Sequence, residues 1–158
     1  MMNVTFIAMG KLKENYFRAA CEEYQKRLSA YAKVTLKEPE PVALPQNPNA
    51  SQIAQALEQE AVKIRENAKG YKIAMCIEGK QLSSEQLAEK LEDLASRGIS
   101  SVSFIVGSSF GLSENFKREC DFRMSMSPMT FPHSLARVML MEQVYRAFSI
   151  NNNGKYHK

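Results

Sequence analysis

Two segments of this chain concentrate residues able to do chemistry. The first is Gly107-Ser108-Ser109-Phe110-Gly111. Its glycines allow close approach of a ligand to the backbone and positive φ angles. The spacing is neither the GxGxxG of dinucleotide sites nor the Gly-Lys-Ser/Thr of phosphate loops. It does match the G-x-S-x-G nucleophile elbow, with Ser109 as nucleophile and Asp121 and His133 following in Ser–Asp–His order. The competing reading is a tight turn, favoured by Gly111 and Ser113, which put the next helix start too late for an elbow. The second segment is Met126-Ser127-Pro128-Met129-Thr130-Phe131-Pro132-His133. Two prolines stiffen it. Such an apolar, rigid loop can wall a pocket for an adenine ring, or it can simply pack beneath a crossover. His133 suits either a helix cap or a proton acceptor. Further on, Arg137 and Arg146 can bind phosphate or pair with Glu142, which stands four residues before Arg146.

These segments need elements to position them. Val4–Met9 is a short apolar run, expected as a buried strand. Phe17, Ala20, Cys21, Tyr24, Leu28 and Tyr31 share one helical face and predict a helix over roughly residues 15–32. Val34–Lys37 is strand-like, and four prolines between Pro39 and Pro48 predict a loop. Ser51 is a candidate cap for a helix carrying Ile53, Leu57, Ala61 and Ile64, closed by Gly70. Lys72–Ile77 is a third strand. Ser83 with Gln86 forms a capping-box pattern for a helix ending at Gly98. Val102–Val106 is the most apolar run and is expected at the sheet centre. A short helix from Ser113, a strand at Phe122–Ser125 and a helix over His133–Phe148 complete the chain. The alternation predicts a single-domain α/β fold over residues 1–158, a mostly parallel sheet flanked by helices. Ligands then bind at the carboxyl ends of the strands.

Charge is concentrated at the two ends. Residues 1–37 carry seven basic and three acidic side chains, residues 133–158 four and one, and the stretch between ten and thirteen. If the ends meet, they make a basic face suited to a phosphate backbone. Three widely spaced cysteines and only two histidines argue for a reducing cytoplasm and against a structural metal site. No run approaches a membrane span, and the start of the chain lacks signal-peptide character.

Six motifs occur in an order that carries a resemblance. They are Val4–Gly10 with Lys11-Leu12-Lys13, Ile77-Glu78-Gly79-Lys80, Gly107–Gly111, Met129-Thr130-Phe131-Pro132-His133, Glu142-Gln143-Val144-Tyr145-Arg146-Ala147, and Tyr156-His157-Lys158. Together they resemble the ribosomal RNA large subunit methyltransferase H family of the SPOUT superfamily, across nearly the whole chain. The resemblance implies a C-terminal trefoil knot, S-adenosylmethionine as cofactor, a homodimer, and methylation of N3 of a pseudouridine in 23S rRNA on the assembled ribosome. It places Met75, Gly107, Met126, Ser127, Pro128, Met129, Thr130 and Phe131 at the cofactor. It places His133 and His157 as candidate proton acceptors, and Arg137, Tyr145, Arg146, Lys155 and Tyr156 on the RNA side. Two positions depart from the family pattern: Ser108 stands where a second glycine is usual, and Cys76 where an acidic residue is usual. A serine hydrolase using Ser109 and a non-catalytic ribosome-binding module are the alternatives from other classes.

Overall fold

Alternation of side chains along the central strands decides the architecture of this protein, described by a computed structural model over residues 1–158. In β1 (Asn3–Ala8), Val4 and Phe6 face one side and Ile7 the other. In β4 (Ser101–Val106), Val102 and Phe104 share the first side and Ile105 the second. The first side packs against α1 (Asn15–Leu28), α3 (Ser84–Ser96) and α5 (His133–Asn151). The second packs against α2 (Ala50–Asn67) and α4 (Glu114–Glu119). With β2 (Lys33–Lys37), β3 (Tyr71–Gln81) and β5 (Phe122–Ser125), the strands form one five-stranded sheet in the order β2-β1-β4-β3-β5. Every pairing is parallel.

The expected central strand is central. Burial on both faces explains its near-continuous apolar sequence. Phe6 and Phe104 lie opposite each other in register, their rings stacked with centroids 5.7 Å apart. Ser103 is the polar exception. Its hydroxyl accepts from Lys69 N–H at 2.9 Å and donates to Lys69 C=O at 2.8 Å, so burying it leaves nothing unpaired.

Element boundaries differ from expectation in instructive ways. α2 is capped by Asn49, not Ser51. The Asn49 side chain accepts from Gln52 N–H at 2.8 Å while the Gln52 side chain accepts from Asn49 N–H at 2.9 Å. That reciprocal box satisfies two otherwise orphaned donors, which Ser51 has no partner to do. The Ser83–Gln86 box forms as expected. α1 stops at Leu28, and α5 runs past Phe148 to Asn151. β3 extends to Gln81 because its pairing with β5 skips: Met75 and Lys80 both oppose Met124. Gly79 makes this bulge possible, since a Cβ there would lie 2.7 Å from the Met124 carbonyl carbon.

Phe104 is fully buried at the centre of both the sheet and the larger core. Phe104→Ala is expected to lower stability by about 3–5 kcal/mol, read as a fall in the urea unfolding midpoint. A change under about 1 kcal/mol would show that this ring is not part of the core as described.

Candidate active site

Parallel strands put all their carboxyl ends on one edge, and there the chain leaves a cleft of about 1120 Å³. Its floor is Met75 of β3, Val106 of β4 and Ser125 of β5. One wall is the glycine turn. Gly111 N–H donates to Ser108 C=O at 2.8 Å, and Gly111 takes φ +86°. A Cβ on Gly107 would lie 2.3 Å from Gly111 O, so the turn can close only around glycine. The opposite wall is the segment after β5, with Met126, Ser127, Met129, Thr130 and Phe131 all lining the space. Pro128 is exposed and does not line it. Ser127 Oγ accepts from Met129 N–H at 3.0 Å and holds the segment in a tight bend.

His133 reaches the cleft from the first turn of α5, with Ala136 and Leu140 below it. It is exposed and is not a cap; Pro132 holds that position. α2 closes the far side with Leu57 and Glu58, and α4 with Lys117; patterning marked Leu57 only as an apolar helix position, and none of the three was expected at the site. The departures from the family pattern are both accommodated. Ser108 Oγ donates to Glu60 Oε1 at 2.9 Å, and the buried Glu60 accepts from Val42 N–H at 2.9 Å through its other oxygen. Cys76 has its thiol pushed up by burial and by the nearby Glu78, which keeps it neutral. Beside it, burial opposes the charge of Lys117, but hydrogen bonds to Glu114 and Glu78 outweigh that and raise its pKa. The same contact with Lys117 holds the Glu78 carboxyl below its ordinary range.

The serine-hydrolase arrangement does not form. Ser109 is exposed at the tip of the turn, and the helix that follows begins only at Glu114, capped by Ser113. Asp121 lies at the amino end of β5, across the sheet, where its carboxylate accepts from Lys72 N–H at 2.8 Å.

The remaining predicted residues divide. Arg137 is 2% exposed and joins three segments: its Nη1 donates to Glu38 at 2.6 Å and its Nη2 to Gly10 C=O at 2.7 Å. Its partner is therefore Glu38, not Glu142, and its Nε has no hydrogen bond. Arg146 does pair with Glu142, at 2.7 Å. Past α5, Asn153 adopts φ 58° and Gly154 packs against Ser149, folding the tail back. Tyr156 then meets Tyr145 edge-on at 4.8 Å, with the Arg146 guanidinium 4.6 Å from the Tyr156 ring. His157 sits between Arg146, 3.1 Å from Nδ1, and Glu85, 2.6 Å from Nε2. Arginine only donates, so Nδ1 accepts and Nε2 carries the proton shared with Glu85. Lys155 is exposed beside this cluster.

α1 and the turn after it add Tyr24 and Tyr31, which the sequence showed only as part of a helical face, and Arg27, which it did not single out. Arg27 lies 5.6, 5.9 and 6.0 Å from the rings of Tyr24, Tyr145 and Tyr156, and Tyr31 stacks on Tyr145. The two basic ends of the chain thus meet, in a cluster rich in aromatic rings and arginine. His133 and Arg146 are thirteen residues apart on α5, or about 20 Å along its axis. The cleft and the tail cluster are separate places in one subunit.

Comparison with known proteins defines the class. Residues 2–157 match the family described as predicted SPOUT methyltransferase, and the chain belongs to that family. It is 43% identical to ribosomal RNA large subunit methyltransferase H of Clostridioides difficile and 44% identical to the protein of the same name from Bacillus cytotoxicus. Each alignment covers 99% of this chain and 100% of the relative. The fold is also that of a probable methylase family protein from Haemophilus influenzae Rd KW20, with TM-score 0.56, 12% identity, and coverage of 99% of this chain and 71% of that one. A probable methyltransferase from Bordetella pertussis Tohama I gives TM-score 0.52 at 12% identity over 93% of this chain and 96% of the other. S-adenosylmethionine is the cofactor of SPOUT methyltransferases, and the cleft fits it. The volume suits a nucleoside-sized ligand, the walls are largely apolar, and the Gly107 turn presents bare backbone.

Arg137→Ala is expected to cost about 3 kcal/mol, because it strands Glu38 and the Gly10 carbonyl. Arg146→Ala should cost about 1 kcal/mol or less, since its ion pair is partly hydrated. Paired urea titrations check this, and equal losses would contradict the structural role given to Arg137.

Proposed function

We propose that this protein methylates N3 of a pseudouridine in 23S rRNA on the assembled ribosome, working as a cytoplasmic homodimer with a C-terminal trefoil knot. The observation that carries this reading is the pairing of a glycine-walled cleft, His133 at its mouth, with a basic, aromatic tail cluster about 20 Å away along α5. Full-length likeness to rRNA large subunit methyltransferases supports the choice of substrate.

The bound cofactor supplies an activated methyl group, so no metal or covalent enzyme intermediate is needed. Met75, Gly107, Met126, Ser127, Met129, Thr130 and Phe131 would hold the cofactor, by backbone and apolar contact. The chain's task is then orientation and proton removal. Holding the target nitrogen in line with the methyl group supplies several kcal/mol, up to about 7–11 in ideal cases. The imide nitrogen must lose its proton, and His133, exposed at the cleft mouth, is placed to accept it. His157 is less suited while docked, because both of its ring nitrogens are engaged. It acts as a clasp that fixes Tyr156 and the tail. Tyr145, Arg146, Lys155 and Tyr156 grip RNA, with Arg27 and Tyr24 of α1 beside them. Since cleft and tail lie apart in one subunit, a second copy brings its tail cluster to the first copy's cleft.

Assembled ribosomes incubated with labelled S-adenosylmethionine should acquire label at a single pseudouridine of 23S rRNA, located by nucleotide mass mapping. His133→Ala should lower the rate about 10²–10⁴-fold with cofactor affinity unchanged. Deleting residues 156–158 should abolish transfer and spare cofactor binding. Label on a different nucleotide would refute the assigned target, and full turnover by the truncated chain would refute the role of the tail.

A further inference from the structure

Beside the cofactor cleft, and sharing Glu78 and Lys117 with it, lies a second concavity of about 390 Å³. The β3 bulge, α4 and the start of β5 enclose it. It is lined largely by charge: Lys80, Arg118 and Arg123 with Lys117, against Glu78 and Asp121. Both acids are already engaged. Glu78 pairs with Lys117, and Asp121 accepts from Lys72 N–H. Lys117 itself is held between Glu78 and Glu114.

The other three cations have no acidic partner. Lys80 and Arg123 enter no ion pair, and Arg118 meets only the neutral side chain of Asn115. All three are exposed. Their convergence is built into the backbone. Gly79 lets the bulge press onto the main chain of Arg123 and Met124, which brings Lys80 into register with Met124 and so next to Arg123. Arg118 projects from the last turn of α4 into the same space. Such a cluster inverts the acidic balance of the middle of the chain at one point, the rim of the cofactor cleft.

We infer that this concavity is a binding site for RNA phosphates, taking the strand that flanks the target nucleotide as it enters the cofactor cleft. The inference rests on the RNA substrate proposed above and adds a contact surface on the β3–β5 edge, away from the tail cluster. Unpaired arginine and lysine side chains in a concave, hydrated site recognise phosphate oxygens through charge and forked hydrogen bonds, without reading sequence. Two points of attachment on either side of the target would fix the register of the nucleotide against the methyl donor, which neither would do alone.

The test compares the wild-type chain with a triple variant, Lys80→Gln, Arg118→Gln and Arg123→Gln, in binding to assembled ribosomes over a series of potassium chloride concentrations. Cofactor affinity of the variant, measured by calorimetry, should match the wild type. Its ribosome affinity should fall at least tenfold at low salt, and the slope of log affinity against log salt should become shallower by about 2, near 0.7 for each lost single-strand phosphate contact. Affinity and slope both equal to wild type would overturn the site while leaving the RNA reading intact. A fall in affinity with an unchanged slope would also overturn it, pointing to contact with a ribosomal protein. Absence of salt-dependent binding by the wild type would remove the RNA reading and this site with it.

Discussion

The constraint on which everything else depends is that all five strands run the same way. A parallel sheet covered on both faces sends the loops after all its strands to one place, free of the ladder and of the core. That place is the edge where the strands end. Here the ends of β3, β4 and β5 are neighbours in space although widely separated in sequence, because the strand order is β2-β1-β4-β3-β5. The glycine turn follows β4 and the proline-stiffened segment follows β5, so the two walls of the cleft stand on either side of β3. The stacked Phe6–Phe104 pair and the two cores hold this arrangement rigid.

α5 carries the second organising role. Its first turn borders the cleft, its middle inserts Arg137 into the protein, and its end anchors the tail. Arg137 fixes the helix against the loop after β1 and the end of β2 by two charge-assisted or polar hydrogen bonds. A buried guanidinium of this kind tolerates loss of a partner poorly, which makes it a register pin for the helix. His157 performs a lighter version of the same task at the surface. Proton position follows from its neighbours: Arg146 must donate and Glu85 must accept.

Much of this was legible from residue types alone. The apolar run Val102–Val106 marked the sheet centre, and the Ser83–Gln86 box marked a helix start. The turn at 107–111 and the segment at 126–133 were visible because glycine and proline constrain the backbone locally. What escaped was non-local. Arg137 had a nearby acid in Glu142, but its partner Glu38 is ninety-nine residues away. The walls contributed by α2 and Lys117 arise only once the helices pack. Tyr24 and Tyr31 belong to a stripe that looks like core, and the tail turns part of it into a surface cluster with Arg27. Asn49 was recoverable, since its partner Gln52 completes a box that Ser51 cannot make.

The central claim is that the cofactor lies between the glycine turn and the segment after β5. Hydrogen–deuterium exchange on the wild-type chain, with and without S-adenosylmethionine, tests it without perturbing the fold. The account predicts slowed exchange in peptides spanning residues 106–113 and 126–133, with α1 and the 152–158 tail unchanged. Saturating cofactor that protects neither segment, or protects only the tail cluster, would contradict it.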